Sequence, residues 1–360
     1  TFNIGMLVLF SALLTISCNS ETSKTNSSNE QNRSNSETHD RTVLPMQSTF
    51  QGKIGDSYKT SEQKFPEGVK APEGAPNVIL IMLDDVGFGQ LGVNGGLIPT
   101  PNMDKLSRQG LLYNNFHTTS VCSSTRAALM TGRNQHQVGF GTITEMSTGY
   151  PGYNSIIPKQ AATLPEVLRL NGYNTALFGK WHNTPDWVVN QSGPMDLWPN
   201  GLGFEQFYGW FGGETSQYQP QLWRNHNPVE APYSYKDGYH LTEDLTAQAT
   251  SWVSNQKALA PDKPYFMFFA PGAVHSPIHA PKEWIEKFKG QFDEGWDVYR
   301  SNAFARQKEL GIIPENAKLT PRPESIPSWE SMSKKEKIVY ARQAEVVAGY
   351  LAVCFSGPFP

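Results

Sequence analysis

Cysteine is scarce in this chain, and so is net charge. Three cysteines occur in 360 residues, at positions 18, 122 and 354. So odd and widely spaced a set builds neither a disulfide framework nor a Cys-rich zinc site, and each thiol needs its own account. Lysine plus arginine number 30 against 33 acidic residues, a net charge of −3. That balance shows no sign of the clustered basic face that nucleic-acid binding requires. No internal repeat is visible, which sets aside solenoids and propellers. Apolar material is plentiful: 38 % of residues are hydrophobic and 12 % aromatic. The length suits one large α/β domain or two modest ones.

Residues 4–17 (IGMLVLFSALLTIS) form an apolar run with the length of a signal-peptide core, too short to span a bilayer. Cys18 follows at once, then a Ser-, Asn- and Thr-rich tract to about residue 40, too polar to pack. Run, cysteine and tether together resemble a bacterial lipoprotein signal, which implies cleavage before Cys18 and its lipidation. Thr15 departs from the usual Leu or Val, and the chain opens at Thr1 without Met or a basic segment. The expectation is an exported protein, periplasmic, in the outer membrane or at the cell surface, that meets the membrane only through this anchor. The opening is expected to reflect an incomplete gene model.

From residue 76 onward strands and helices alternate. PNVILIML (76–83), NTALFG (174–179) and YFMFFA (265–270) read as strands buried on both faces. Segment 100–110 reads as a helix, with Thr100 as cap, Pro101 in the first turn and Gly110 as stop. Thr163 with Glu166 opens another, Leu241, Leu245, Ala249 and Trp252 share one face of a third, and Ser333 with Glu336 opens a last helix to about residue 350. Strands separated by helices imply an α/β fold with a largely parallel sheet. The stretches 184–240 and 276–330, rich in Pro, Trp, Tyr and Gly, read as ordered excursions.

Each strand ends in polar residues, where an open α/β sheet places its ligands. Asp84 and Asp85 repel unless solvated or shared by a cation, and carboxylate oxygens suit Ca²⁺ or Mg²⁺. Lys180 and His182 follow the second strand and His275 the third. Taken singly, each fits a solvated or core residue equally well. In CSSTRAALMTGR (122–133) a helix begins just after Cys122. Its free N–H groups and Arg126, one turn on, favour an anion there. A thiol so placed is an activated nucleophile, though a buried cysteine near a helix cap fits the same pattern.

That segment resembles the sulfatase signature, and NVILIMLDDVGFGQLG (77–92), TPNMDKLSRQGLLYNNFHTT (100–119), GYNTALFGKWH (172–182) and FAPGAVHSPIHAPKEW (269–284) are similar to arylsulfatase segments in the same order. The resemblance implies an alkaline-phosphatase-like α/β fold and a sulfuric ester hydrolase. It implies that a maturing enzyme oxidises Cys122 to formylglycine, and that Asp84, Asp85 and residue 122 bind a divalent cation, Ca²⁺ before Mg²⁺. It further implies that Arg126 steadies residue 122, that Lys180 and His182 hold the sulfate, that His275 protonates the leaving alcohol, and that His182 is the base that restores the enzyme. Trp181, Trp187 and the 212–215 loop are candidates to shape the substrate pocket; the remaining histidines read as structural or pocket-lining.

Ser124 stands where the family has Pro, and Thr125 where Ser is usual. The family's further ligands, an Asp with a following Asn and a late Lys, have no counterpart before Pro360. A truncated or frameshifted chain lacking its C-terminal subdomain, poorly folded or inactive as written, is therefore expected. The expected organisation is a signal (1–18), a tether (19–48), an incomplete catalytic domain (49–353) and an aberrant tail (354–360). The competing readings are a phosphonate or phosphate-ester hydrolase of the same superfamily, and a non-catalytic surface lipoprotein that binds sulfated glycans.

Overall fold

The computed structural model describes residues 50–356. The signal with Cys18, the tether, and residues 357–360 of the tail lie outside them. Two compact units divide at Pro66 and Glu67. Among its described residues the first unit holds one antiparallel bridge, in which Lys53 and Glu62 exchange N–H···O bonds of 2.9 and 2.7 Å.

The second unit is an α/β layer structure. Its strands are β1 (Val78–Ile81), β2 (Asn174–Lys180), β3 (Gln206–Trp210), β4 (Leu222–Arg224), β5 (Asn227–Val229) and β6 (Tyr265–Ala270), in the order β1-β6-β2-β3-β4-β5. The first four in that order are mutually parallel, and β4 and β5 add an antiparallel edge. Seven helices accompany them among the described residues: α1 (Pro101–Ser107), α2 (Cys122–Thr131), α3 (Leu164–Leu170), α4 (Leu241–Leu259), α5 (Lys282–Glu286), α6 (Gly295–Glu309) and α7 (Lys334–Ser356). The α/β class with a largely parallel sheet is thus as the alternating pattern implies.

The helix punctuation acts as read at two of three starts: Thr100 precedes α1 but makes no side-chain capping bond, and that helix ends at Ser107, short of Gly110. Thr163 Oγ1 accepts from Glu166 N at 3.4 Å, and Ser333 and Glu336 cap each other reciprocally, at 2.8 and 3.3 Å. Leu241, Leu245 and Ala249 bury one face of α4 against Phe178, Met267 and Phe269. α7 runs to Ser356, beyond the expected end, because Leu351, Val353, Cys354 and Phe355 stay buried in the cluster that includes Phe288 and Phe292. Cys354 is therefore an inert core thiol, pushed up to about 12 by burial.

β6 is buried along its whole length and β2 at every residue but Asn174. β1 differs from the expectation. Val78, Ile79 and Ile81 are 37–41 % exposed, because among the described residues β1 pairs only with β6 and its outer edge is open. A 760 Å³ cavity lies along its apolar face, lined by Ile79, Ile81, Met103, Met267, Phe269 and Phe355. The 184–240 excursion supplies β3, β4 and β5, and the 276–330 excursion supplies α5 and α6.

Two glycines let the central strands approach. A Cβ on Gly179 (φ +113°) would meet Ala270 O at 2.0 Å, and one on Gly209 would meet Gly179 O at 1.9 Å. Only glycine leaves that space empty.

Candidate active site

The C-terminal ends of β1, β6, β2 and β3 converge on one side of the sheet, where parallel α/β folds gather ligand-binding residues. Hydrogen bonding carries the strand pairings past the strands themselves. Asp84 N donates to Ala273 O at 2.8 Å, Trp181 N to Trp210 O at 3.0 Å and His182 N to Phe211 O at 3.0 Å. Asp84 and His182 are thereby set by the sheet. Asp85 and His182 both adopt positive φ, +58° each, an uncommon backbone state for non-glycine residues that recurs at functional sites.

Cys122 is the first residue of α2, after an extended Val121. Its Sγ lies 3.1 Å from His182 Nδ1. Burial alone would raise the thiol's pKa, yet contact with His182 leaves it below the usual cysteine value. Burial likewise opposes a charge on His182, whose contacts with Cys122 and Glu145 raise its pKa above the ordinary value. Ser124, at the family's Pro position, is buried and its Oγ donates to Phe140 O at 2.5 Å, tying α2 down.

Asp84 is shared by two buried cations. Lys180 Nζ donates to Asp84 Oδ2 at 2.6 Å, and Arg126 Nη2 lies 3.6 Å from Oδ1. Burial raises the Asp84 carboxyl, but the two cations prevail and hold it below the usual range. Arg126 also donates through Nη1 to Lys180 O at 2.8 Å. Its Nε and Nη2 are buried without a hydrogen-bond partner in the structure. Two cations against one buried carboxylate leave an excess positive charge, an environment that suits an anion.

His275 Nε2 is 3.8 Å from Asp85 Oδ2, and its Nδ1 is 2.7 Å from Ser276 O. Asp84, Asp85, Cys122 and Arg126 line one 350 Å³ cavity with Thr118, Thr119 and Thr125. Asp84, Asp85, Cys122, Arg126, Lys180, His182 and His275 thus lie together at this end of the sheet. The two carboxylates fit a hard cation by donor chemistry, but they supply only part of the oxygen shell such an ion takes. Among the described residues no group of three or more His, Cys, Asp or Glu is placed to hold one.

Glu145 escaped the sequence reading. It sits in a single 3₁₀ turn (Thr144–Met146), and its carboxylate contacts His182 Nε2 at 2.8 and 3.0 Å. Gly213 N donates to the same Oε1 at 3.0 Å. Burial works against its charge, but the bonds from His182 and Gly213 lower it to about 2. No motif flagged it, because a lone Glu in the 134–162 loop has no local pattern. Of the suggested pocket residues, Trp181 is a core side chain, fully buried and donating to Thr184 Oγ1, so it cannot face substrate. Trp187 is 57 % exposed. Gly213 borders His182, since a Cβ there would lie 3.0 Å from the ring. His240 is buried and held below the usual histidine range by burial, as a structural histidine should be.

The sulfatase family model matches residues 76–350. The chain is 32 % identical over 295 residues to an arylsulfatase of Klebsiella aerogenes, covering 78 % of this chain and 60 % of the relative. It is 35 % identical over 299 residues to an uncharacterized sulfatase of Schizosaccharomyces pombe, covering 78 % and 52 %. It is also 31 % identical over 237 residues to human N-acetylgalactosamine-6-sulfatase, covering 61 % and 43 %. The chain thus spans 52 % and 60 % of the length of the first two curated relatives. Among solved structures, Ps i-CgsB superposes with a TM-score of 0.50 at 28 % identity, over 66 % of this chain and 53 % of that one. The protein yidJ of Bacteroides fragilis shares the fold, with a TM-score of 0.55 at 18 % identity over 80 % and 58 %. With the ordered motifs gathered at one sheet end and a family match over most of its length, the chain belongs to the sulfatase family.

Proposed function

We propose that the protein hydrolyses sulfate esters, releasing inorganic sulfate and an alcohol or phenol. The observation that carries this is the buried Arg126, whose Nε and Nη2 lack a hydrogen-bond partner beside the Lys180–Asp84 pair and the cavity onto which Cys122 opens. A sulfate group brings oxygens to such donors, and each charge-assisted bond is worth about 1.5–3 kcal/mol.

Formylglycine made from Cys122 would supply, once hydrated, an oxygen nucleophile in place of the thiol. Asp84 and Asp85 would hold a divalent cation, Ca²⁺ by preference, which lowers the pKa of oxygens bound to it. Lys180 and His182 then hold sulfate oxygens, while Arg126 offsets negative charge near residue 122. His182 Nδ1, 3.1 Å from residue 122, receives a proton from that residue. His275 stands on the Asp85 side and protonates the departing oxygen. Aryl sulfates and sulfated sugars are both proposed as substrates, since the relatives include an arylsulfatase and N-acetylgalactosamine-6-sulfatases.

The test is sulfate release from 4-nitrocatechol sulfate and from N-acetylgalactosamine 6-sulfate, by protein made in a host that matures sulfatases. Peptide mass spectrometry reports the state of residue 122. Turnover of either ester, lost in Cys122→Ala, is the expected result. A fully converted residue 122 with no release from either ester overturns the proposal.

A further inference from the structure

The loop that follows β3 passes between the two histidines of the site. A Cβ on Gly213 would lie 3.0 Å from the His182 ring, and the Ser276 hydroxyl, one residue beyond His275, donates to Glu214 Oε2 at 3.4 Å. We propose that the carboxylates of Glu214 and Asp186 make the mouth of this site a charge filter. It admits esters with one sulfate on an uncharged aryl or sugar alcohol, and disfavours alcohols that carry further negative charge. The inference rests on the sulfatase reading for the group that binds, and adds the class of alcohol that carries it.

Charge at this end of the sheet is divided by depth. Positive charge lies on the floor, where the Lys180 and Arg126 side chains are 0 and 1 % exposed beside Asp84. The segments that carry the chain away from the C-terminal ends of β1, β2, β3 and β6 are 82–99, 181–203, 211–221 and 271–281. Among these described residues there is no lysine or arginine, although the whole chain has 30. The same segments carry Asp84, Asp85, Asp186, Asp196 and Glu214. Glu214 and Asp186 are exposed, and the Asp85 side chain is 62 % exposed. Asp186 opens a 3₁₀ turn four residues past His182. Burial and the nearby Glu145 raise its carboxyl above the usual range while His182 lowers it, which places it at the same mouth. A second sulfate or a carboxylate on the substrate would therefore meet carboxylates, and no lysine or arginine of these segments.

The position of Glu214 decides which part of the substrate it meets. His275 protonates the departing oxygen in the proposed reaction, so the alcohol extends from the sulfate toward the segment that holds His275. Glu214 is bonded to that segment through Ser276. Exposed charges are screened beyond about 8 Å at physiological salt. The filter therefore acts on charge close to the ester bond and leaves distant charge alone.

The experiment measures sulfate release from the sulfate esters of 4-hydroxybenzoate and 4-hydroxyacetophenone, which are alike in shape and differ by one negative charge. Matured wild type is compared with the double variant Glu214→Gln, Asp186→Asn. The quantity read is kcat/KM for the anionic ester divided by that for the neutral one. Differences in leaving-group strength cancel when this ratio is compared between proteins. It should rise about 3–10-fold in the double variant. In the wild type it should also rise as salt is raised to about 0.5 M, because screening weakens the repulsion. An unchanged ratio in the folded double variant overturns the proposal and leaves the sulfatase reading intact. If the variant does not fold, a wild-type ratio indifferent to salt overturns it in the same way. Release from neither ester, with residue 122 fully converted, overturns the sulfatase reading and the filter with it.

Discussion

At the scale of single residues, the site works by setting buried charges against one another. Asp84, Lys180 and Arg126 are each almost wholly buried, and each charge is tolerable only because the others are present. Glu145 is the more exposed member of its pair with His182, its side chain 40 % accessible. Its carboxyl is lowered from 4.5 to about 2 in the folded protein. A depressed folded pKa contributes stability that is complete above the unfolded value and is lost as pH falls through the folded one. The contribution of Glu145 should therefore be full above about pH 4.5 and fade toward pH 2, part of it screened by solvent. Urea titrations at stepped pH provide the check: the gap between wild type and Glu145→Ala should narrow on acidification within that window. A gap that is constant with pH would contradict the assignment. Asp84, Asp85, Lys180, His182 and His275 stood out in the sequence as polar residues at or beyond strand ends, and the resemblance to the sulfatase family gave them their expected roles. Glu145 did not, because what marks it is contact with a partner 37 positions away.

At the scale of elements, the central strands are positioned by what is missing from them. Gly179 and Gly209 face each other in the β2–β3 register, and their backbones are too close for a methyl group. Gly209→Ala should cost about 1–3 kcal/mol or more, because the atom in the way is a backbone oxygen that no rotamer change can move. Since Lys180 and His182 lie just beyond this pair, the same substitution should weaken sulfate release further than the stability loss explains. Thermal melts and activity on one preparation measure both. An unchanged melt would show that the strands separate freely. The Thr163 cap and the Ser333 capping box were readable because a cap is a local contract among four residues. β3, β4 and β5 were not, since short strands broken by Gly, Trp and Pro carry too little periodicity to distinguish them from loops.

At the scale of the whole molecule, the edge of β1, exposed among the described residues, is the feature that departs most from the sequence pattern. A continuous apolar run reads as a strand covered on both faces, whereas Ile79 and Ile81 are 40–41 % exposed beside an open cavity. An apolar, unpaired strand edge is a template for association with other chains. Ile81→Lys should lower light scattering at high concentration while leaving the melting temperature nearly unchanged, and an unaltered scattering profile would count against that role. By itself the sequence determined the α/β class and three of the strands that border the candidate site, because buried strand runs and helix caps are written in neighbouring positions, while the site residues were singled out by the resemblance of their motifs. Only the tertiary structure decided which charges share Asp84, that Trp181 belongs to the core, that β1 is open among the described residues and that Glu145 contacts His182. Each of these depends on contacts between segments far apart in the chain, and periodicity along the chain does not encode such contacts.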